Sequence, residues 1–350
     1  KITTHFTTFV FIAGFLFDAL LLPDIEDAFS RYLGLAYLLL IGSLIMFREW
    51  IVSRNTASLL ERRIYSVATF GISYFSGASL SFIFIFAIRS AQISVSWPLF
   101  LILILCIFAN EFVSTHDFRY ALDVGIFLIA TLFYIIFNTP IILKSQNDIT
   151  FAVSVAVTVL ISLLYSYFLK FSSENAFFQA PRIYSLAVGI PMFVGMLYFL
   201  NVLPAVPLAL KDAGVYHSVI KSGEGDFIAQ KETDKRKFLS FLTPVYHLMP
   251  GDRGVYFFSA VDAPAELSAP ISHAWEYYDN AKNKWVKSGD PITFTLEGGR
   301  TDGYRAYSQK SNITEGLWRV TVKVDDNRIV GRLKFKVIKG GNPEVLEVKL

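Results

Sequence analysis

Arg300, Arg305, Lys310 and Arg319 lie close together near the C-terminal end of the chain. Four cations so grouped can converge on a phosphate or a carboxylate through charge-assisted hydrogen bonds. Tyr304 and Tyr307 interleave with them, and Trp275 and Trp285 lie just upstream; such rings can stack on a sugar or a peptide. His273 can pair with a carboxylate, but no second His or Cys stands near it to suggest a metal. The competing reading is structural: Trp275 and Trp318 fill a core, Gly299, Gly303 and Gly316 shape turns, and the arginines cover strand faces. No nucleophile elbow, phosphate-binding loop or zinc-protease spacing is present.

Further polar groups sit in or beside apolar stretches, where ionisable side chains are costly and so become functional candidates. Asp18, followed by Asp24, Glu26 and Asp27, can hold a cation or simply form an acidic loop. Asn110, Glu111, His116, Asp117, Arg119 and Asp123 form a second group. In a helix His116, Arg119 and Asp123 share one face, a pattern fit for acid–base work or for surface ion pairs and capping. Asn138-Thr139-Pro140 is the third. Pro140 removes a backbone donor, Asn138 can pair the freed carbonyl, and the outcome is a kink or a broken helix lining a site. Asp18, Glu111, His116 and Asn138 are therefore the intramembrane candidates. Gly189-Ile190-Pro191 is a similar interruption, with no repeat relating the two.

The elements that must position these groups follow from hydropathy. The chain has 350 residues, 53% of them hydrophobic, and a mean hydropathy of +0.47. That excess of apolar side chains calls for lipid. Seven apolar stretches predict membrane helices at Phe6–Leu22, Tyr32–Phe47, Ser66–Ile88, Trp97–Phe112, Val124–Leu143, Thr150–Phe171 and Tyr184–Leu203, the second and fourth being short. The first has no small-residue cleavage site and is expected to stay. Arg48, Arg54, Arg62, Arg63, Arg119, Lys170 and Arg182 fall in even-numbered loops, against Arg31, Arg89 and Lys144 in odd ones. Positive residues stay inside, which predicts a cytoplasmic N-terminus and, after seven crossings, a C-terminal domain outside. Abundant Phe is packing and lipid contact. Ser73, Gly77 and Ser81 at four-residue spacing let two helices approach closely, within the chain or between copies.

Residues 211–350 hold 21 of the 32 Lys/Arg and 18 of the 29 Asp/Glu. The net charge of +3 is dispersed, with no basic block for nucleic acid. The single cysteine, Cys106, is in an apolar run, so no disulfide is expected. Pro204 and Pro207 end the last helix. Gly214–Ile220 and Asp226–Lys231 predict a hairpin, a charged run Lys231–Lys237 follows, and Phe238–Met249 lies on the bilayer or beneath the C-terminal domain. Strands are predicted at Val255–Val261, Ile271–Tyr278, Lys284–Lys287, Ile292–Glu297, Gly303–Ser308, Leu317–Val324 and Arg328–Ile338, with a turn at Asp325–Asn327. Trp318, Val320, Val322 and Val324 alternate with Arg319 and Lys323, the pattern of a half-buried antiparallel strand. Seven such strands point to an immunoglobulin-like β-sandwich. The predicted fold is thus α + β in separate domains: a polytopic bundle at 1–203, a junction at 204–250, the sandwich at 251–340 and a tail at 341–350.

His273-x-Trp275, Arg300-x-x-Gly303-Tyr304-Arg305-x-Tyr307-Ser308-x-Lys310, Gly316-x-Trp318-Arg319-Val320 and Gly331-x-x-x-Phe335-x-Val337 resemble a bacterial domain family of unknown function, DUF2914. The apolar stretches and Pro204–His217 are similar to the multi-pass segment that often precedes that domain. The resemblance implies a layout and brings no established activity.

Two functions fit. The first is an integral inner-membrane protein whose periplasmic sandwich binds a protein partner, an anionic envelope polymer or a second copy of the chain, without catalysis, cofactor, metal or nucleic acid. Its candidate binding residues are His273, Trp285, Arg300, Arg305, Tyr307, Lys310 and Arg319. The alternative is a membrane enzyme or transporter for a lipid-linked envelope substrate, with a polar cavity among Asp18, Glu111 and Asn138.

Overall fold

The computed structural model describes residues 2–21, 28–54, 58–89, 93–112, 116–145, 147–200, 203, 208–222, 226–233, 243–249, 254–263, 268–297, 303–324, 328–341 and 343–350. Two compact units emerge, one of residues 1–88 and 96–207, the other of residues 89–95 and 208–350.

The first unit is helical: α1 (Ile2–Leu21), α2 (Ala28–Ser53), α3 (Leu59–Arg89), α4 (Ile93–Phe112), α5 (His116–Leu143), α6 (Asp148–Leu169) and α7 (Glu174–Phe199). Each predicted stretch lies on one helix. Five of them, α2, α3, α5, α6 and α7, are long and apolar enough to cross a membrane, whereas the apolar parts of α1 and α4 are shorter. The short second span extends into its polar flanks, α2 continuing through Arg48 and Glu49, so Arg48 lies in the helix and not in the loop to which the positive-residue count assigned it. Asn147 and Ser173 cap α6 and α7, their side-chain oxygens accepting from the backbone N–H of Thr150 and Ala176.

Long-range contacts set the helix directions. Tyr134, late in α5, donates to the carbonyl of Arg31, early in α2, while Arg48 near the end of α2 meets Asp123 near the start of α5. Tyr198 at the end of α7 stacks on Phe151 at the start of α6, with ring centroids 3.4 Å apart. These pairs run antiparallel. α1 and α3 cross at near backbone contact: a Cβ placed on Gly77 would stand 2.0 Å from the carbonyl oxygen of Phe11, and one on Gly14 2.2 Å from that of Tyr74. The small-residue face of α3 is therefore used within the chain, with glycine removing the side chains that would hold the backbones apart. On α6, Thr150, Ser154, Thr158, Ser162 and Ser166 form a second small, buried stripe. Ser154, Thr158 and Ser166 each return their hydroxyl to the carbonyl four residues earlier.

The second unit is β-rich, with β1 (Ala209–Tyr216), β2 (Ser218–Lys221), β3 (Phe227–Glu232), β4 (Val245–Leu248), β5 (Val255–Asp262), β6 (Ser268–Asp279), β7 (Lys284–Lys287), β8 (Ile292–Glu297), β9 (Tyr304–Lys310), β10 (Gly316–Val324), β11 (Arg328–Lys339) and β12 (Val345–Lys349). They form three sheets: β1-β5-β9; β4-β11-β10-β6-β7 with β8 also on β6; and β12-β3-β2. Every pairing is antiparallel except β4 with β11.

Apolar side chains on the facing sides of the first two sheets meet. Phe257 packs edge-on against His273 and Trp275, and Val320, Val322 and Phe335 are fully buried. The other side of the first sheet is covered by the third, through Tyr216, Val219, Phe227, Ala229, Phe258 and Ala260. The third layer and the parallel strand β4 add to the seven strands of the sequence pattern. Of the run Phe238–Met249, the described end is edge strand β4. Pro204, Pro207 and the turn at Asp325–Asn327 lie outside the described residues.

Candidate functional site

Among the described residues, the buried charges of the helical unit lie in two places. In the first, Arg48, Glu49, Arg119 and Asp123 form a buried cluster. Arg48 Nη1 is 2.5 Å from Asp123 Oδ2 and its Nε is 3.5 Å from Glu49 Oε1. Arg119 Nε is 3.1 Å from Asp123 Oδ1. Arg119 also donates to Ser73 Oγ and to the carbonyl of Asn110, and the Ser173 hydroxyl donates to Glu49. Four helices and the cap of a fifth thus meet on two positive and two negative charges, a balance that burial demands. Arg48 and Glu49 were not among the sequence candidates. Arg48 and Arg119 leave the loop charge count, so Arg54, Arg62, Arg63, Lys170 and Arg182 stand against Arg31, Arg89 and Lys144.

In the second, Asp18 Oδ1 accepts from Tyr37 at 2.8 Å and Oδ2 from Ser81 at 3.2 Å, fastening α1 to α2 and α3. Its predicted companions Asp24, Glu26 and Asp27 lie outside the described residues, as do the side chains of Glu111 and His116. Asn138 does not take up the carbonyl that Pro140 deprives of its donor. Its amide donates to Tyr134 O at 2.7 Å, Thr139 donates to Ile135 O, and α5 runs unbroken through Pro140. Beside Asn138 lies a cavity of about 20 Å³ lined by Arg31, Ser79, Tyr134 and Phe137. That is room for about one water molecule.

In the β unit the predicted cations do not converge. Arg305 and Tyr307 project from the outer side of β9, toward the third sheet. Arg305 Nη1 donates to the carbonyl of Leu350 at 2.9 Å and lies 3.6 Å from Asp226, and Tyr307 packs on Phe227 and Tyr256. Lys310 donates to the carbonyl of Ser288 at 2.7 Å. Arg300 lies outside the described residues. Arg319 is on the outer side of β10, in the other sheet. The cause is the two-residue period of the strands: β9 and β10 belong to different sheets, so their outward side chains point apart.

His273 is a second correction. It is fully buried, with Nε2 2.8 Å from Ser259 Oγ and Nδ1 2.9 Å from Ser308 Oγ, and Ser308 also accepts from Trp275 Nε1 at 3.1 Å. Burial pushes its pKa down to about 3, which keeps the ring neutral. No carboxylate approaches it. His273 is a hydrogen-bonded core residue between two sheets, not a surface ligand.

A cluster the sequence did not announce joins the third sheet to β4. Glu232 Oε1 accepts from His217 Nε2 at 3.0 Å and from the backbone N–H of His247 at 2.6 Å, and Oε2 accepts from His247 Nδ1 at 2.7 Å. Tyr246 stacks on His217 and bonds its Nδ1. Burial alone raises the Glu232 carboxyl; the hydrogen bonds from His217 and His247 outweigh it and hold the carboxyl below its usual range. Glu232 on β3 lies fifteen residues from His217, between β1 and β2, and fifteen from His247 on β4, where no local spacing could link them. Among the described residues, no group of three or more His, Cys, Asp and Glu is arranged to hold a metal.

The outer face of β11-β10-β6-β7 is different. Lys334, Arg319 and Glu276 stand opposite one another across three strands, and Lys287 opposes Glu276 on the fourth. Arg332, Lys336 and Lys323 share this face. Arg319 grips Glu276 with two bonds of 2.5 and 2.9 Å and lies 4.4 Å over the ring of Trp285, which packs against Tyr278. Burial pushes Glu276 up, but Arg319, Arg332 and Lys323 bring it below its usual range. Arg332 is lowered by burial and by the neighbouring Arg319.

A search of curated proteins finds no match. Among solved structures, an alkylpurine DNA glycosylase from Pseudomonas fluorescens bound to DNA containing an abasic site analog aligns over 90% of this chain and 100% of its own. The identity is 11% and the TM-score 0.21, a likeness that carries no argument about fold or function. Residues 268–337, from the start of β6 almost to the end of β11, match the model of the family described as Protein of unknown function (DUF2914), the family that the motifs of the sequence resemble.

Proposed function

We propose that this chain is a bacterial inner-membrane protein in which α1–α7 cross the bilayer from a cytoplasmic N-terminus and present the β unit, an immunoglobulin-like sandwich with a third sheet added, in the periplasm. There it binds a protein partner or an envelope polymer without catalysing a reaction. The observation that carries this reading is the fate of the chemistry-bearing side chains. His273 is held between two serines, Asp18 between Tyr37 and Ser81, and Arg305 at the Leu350 carbonyl, so each is occupied by the fold. Lys287, Lys334 and Lys336, on the outer side of the second sheet, are exposed. The antiparallel contacts in the bundle support successive crossings, and Arg54 just after α2 with Arg62 and Arg63 at the start of α3 support an inward-facing turn there.

A membrane enzyme or transporter for a lipid-linked substrate is the second reading. The buried Arg48–Asp123 cluster favours it, since ionisable groups within a bundle are functional candidates.

Cysteine labelling tests the orientation. In a C106S background, K282C should react with a membrane-impermeant maleimide in intact spheroplasts, and R54C only after permeabilisation. The reverse pattern overturns it. Native mass spectrometry of a mild-detergent preparation tests the rest. A stoichiometric lipid-linked sugar, retained when residues 251–350 are deleted, moves the function into the bundle.

A further inference from the structure

The outer side of the first sheet is covered by the third sheet; on the outer side of the second, Ser272, Ala274 and Thr321 are buried while Lys287, Lys334 and Lys336 are exposed. Its strands β11, β10, β6 and β7 point Arg332, Lys334, Lys336, Arg319, Lys323, Lys287 and Glu276 outward, six cations and one anion. We propose that this face binds a linear anionic glycan, its acidic groups lying along the cations and one of its sugar rings against Trp285.

The inference rests on reading the C-terminal domain as a binding module and names its ligand class. Three features select an extended ligand. The cations are spread and not convergent: neighbouring strands lie about 4.8 Å apart, so the row Lys334–Arg319–Glu276–Lys287 extends about 15 Å. A single phosphate or carboxylate is instead recognised by donors that close on one point. Arg319 is held flat by Glu276 and Trp285, so it is fixed in the plane of the face and cannot fold round a small anion. Lys287, Lys334 and Lys336 are exposed, and their flexible stems can follow a chain of charges.

Two features select a sugar polymer over a lipid surface. Trp285 is half-buried under the Arg319 guanidinium and cannot insert as an interfacial anchor does. The exposed large apolar side chain of the face is Leu317 at 40%, too little for insertion into a bilayer. Aromatic rings beside fixed polar groups are what a sugar ring needs, an apolar plane with hydrogen-bonding edges.

The test uses the full chain in phosphatidylcholine nanodiscs, with dextran sulfate oligosaccharides as the probe. Neutral dextran of the same length, a monosulfated glucose and a length-matched polyphosphate are the comparators. Dextran sulfate should bind, its affinity falling steeply with salt; neutral dextran should not, and the monosulfated sugar should bind at least about 100-fold more weakly. K287E/K334E/K336E should weaken binding at least about 10-fold, and K221E/K231E, on the third sheet, should leave it unchanged. K287Q/K334Q/K336Q should show the same order with a smaller loss. W285A and W285F should weaken the glycan and leave polyphosphate binding as it was.

Equal binding by the face variants overturns the site. Equal loss of glycan and polyphosphate in the Trp285 variants overturns the sugar contact. Binding to phosphatidylglycerol nanodiscs with none to dextran sulfate assigns the face to lipid and overturns the proposal. If glycan binding fails while K282C is still labelled from outside, this ligand class falls and the binding module stands. Labelling of K282C from inside overturns the module reading itself, whatever the glycan does.

Discussion

Arg48 of α2 and Asp123 of α5, 75 residues apart in sequence, form a buried ion pair with Nη1 2.5 Å from Oδ2. Arg119 shares the same carboxylate and Glu49 the same guanidinium, so the charges balance only as a group of four. Removing one partner from a buried pair costs about 3–5 kcal/mol, because the remaining charge has no water to turn to. D123N should therefore destabilise the bundle by that order in thermal or SDS unfolding of the micelle-embedded protein. Unchanged unfolding in D123N would show that water reaches the cluster.

The α1–α3 crossing predicts a steric effect. G77A places a methyl 2.0 Å from the Phe11 carbonyl oxygen, so the helices must separate, at a cost of about 1–3 kcal/mol. G125A, with nothing within 4 Å of its new methyl, is the matched control and should leave the melting temperature where it was or raise it slightly.

His273 makes the β unit acid-sensitive. Its ring is neutral in the fold down to a pKa of about 3, whereas in the unfolded chain it takes up a proton near pH 6.5. The stability of the neutral ring is complete above about pH 6.5 and declines below it by about 1.4 kcal/mol per pH unit until the folded pKa is reached. Unfolding followed by near-UV circular dichroism should show that slope between pH 6 and 4. H273Q, which keeps a hydrogen-bonding side chain and does not titrate, should flatten it. An identical slope in H273Q refutes the assignment.

Glu232 adds a second acid sensitivity of the same sign. Its carboxyl is held low in the fold, so its contribution is present above the ordinary glutamate range and is lost as pH falls through the folded value. E232Q removes the charge that accepts three hydrogen bonds and should cost about 1–3 kcal/mol. Hydrogen exchange should localise the loss: the amide of His247, which donates to Glu232, should exchange faster, while that of Val320 in the central strand should not.

The strands of the C-terminal region were legible because β10 and β11 alternate without interruption, Trp318 to Val324 and Leu333 to Val337, and that period follows directly from pleat geometry. The helices were legible from length and hydropathy. What periodicity could not reveal is which sheet each strand joins. That choice depends on pairings between distant segments, and it decides that Arg305 and Arg319 point apart. Arg48 and Glu49 were hidden for another reason. Charged residues at the end of an apolar stretch look like a loop until other helices supply counter-charges from elsewhere in the chain. His217 and His247 carry no local signal, since the carboxylate that joins them is on a third strand. Ser259 and Ser308 are equally unmarked, and without them His273 reads as a surface ligand.

The parallel pairing of β4 with β11 has a consequence for how the domain is made. β4 ends at Leu248 and its partner register lies at Lys336–Lys339, so the edge of the large sheet stays open until β11 has been made. β3 waits still longer, because β12 reaches it only at Val345–Lys349. Pairings between distant segments form slowly, since a long loop must close before any contact rewards it. The helices precede the β unit in sequence and are made before it. Until β11 and β12 have been made, the strand edges of the β unit await their partners, an interval in which the chain is open to pairing with another strand.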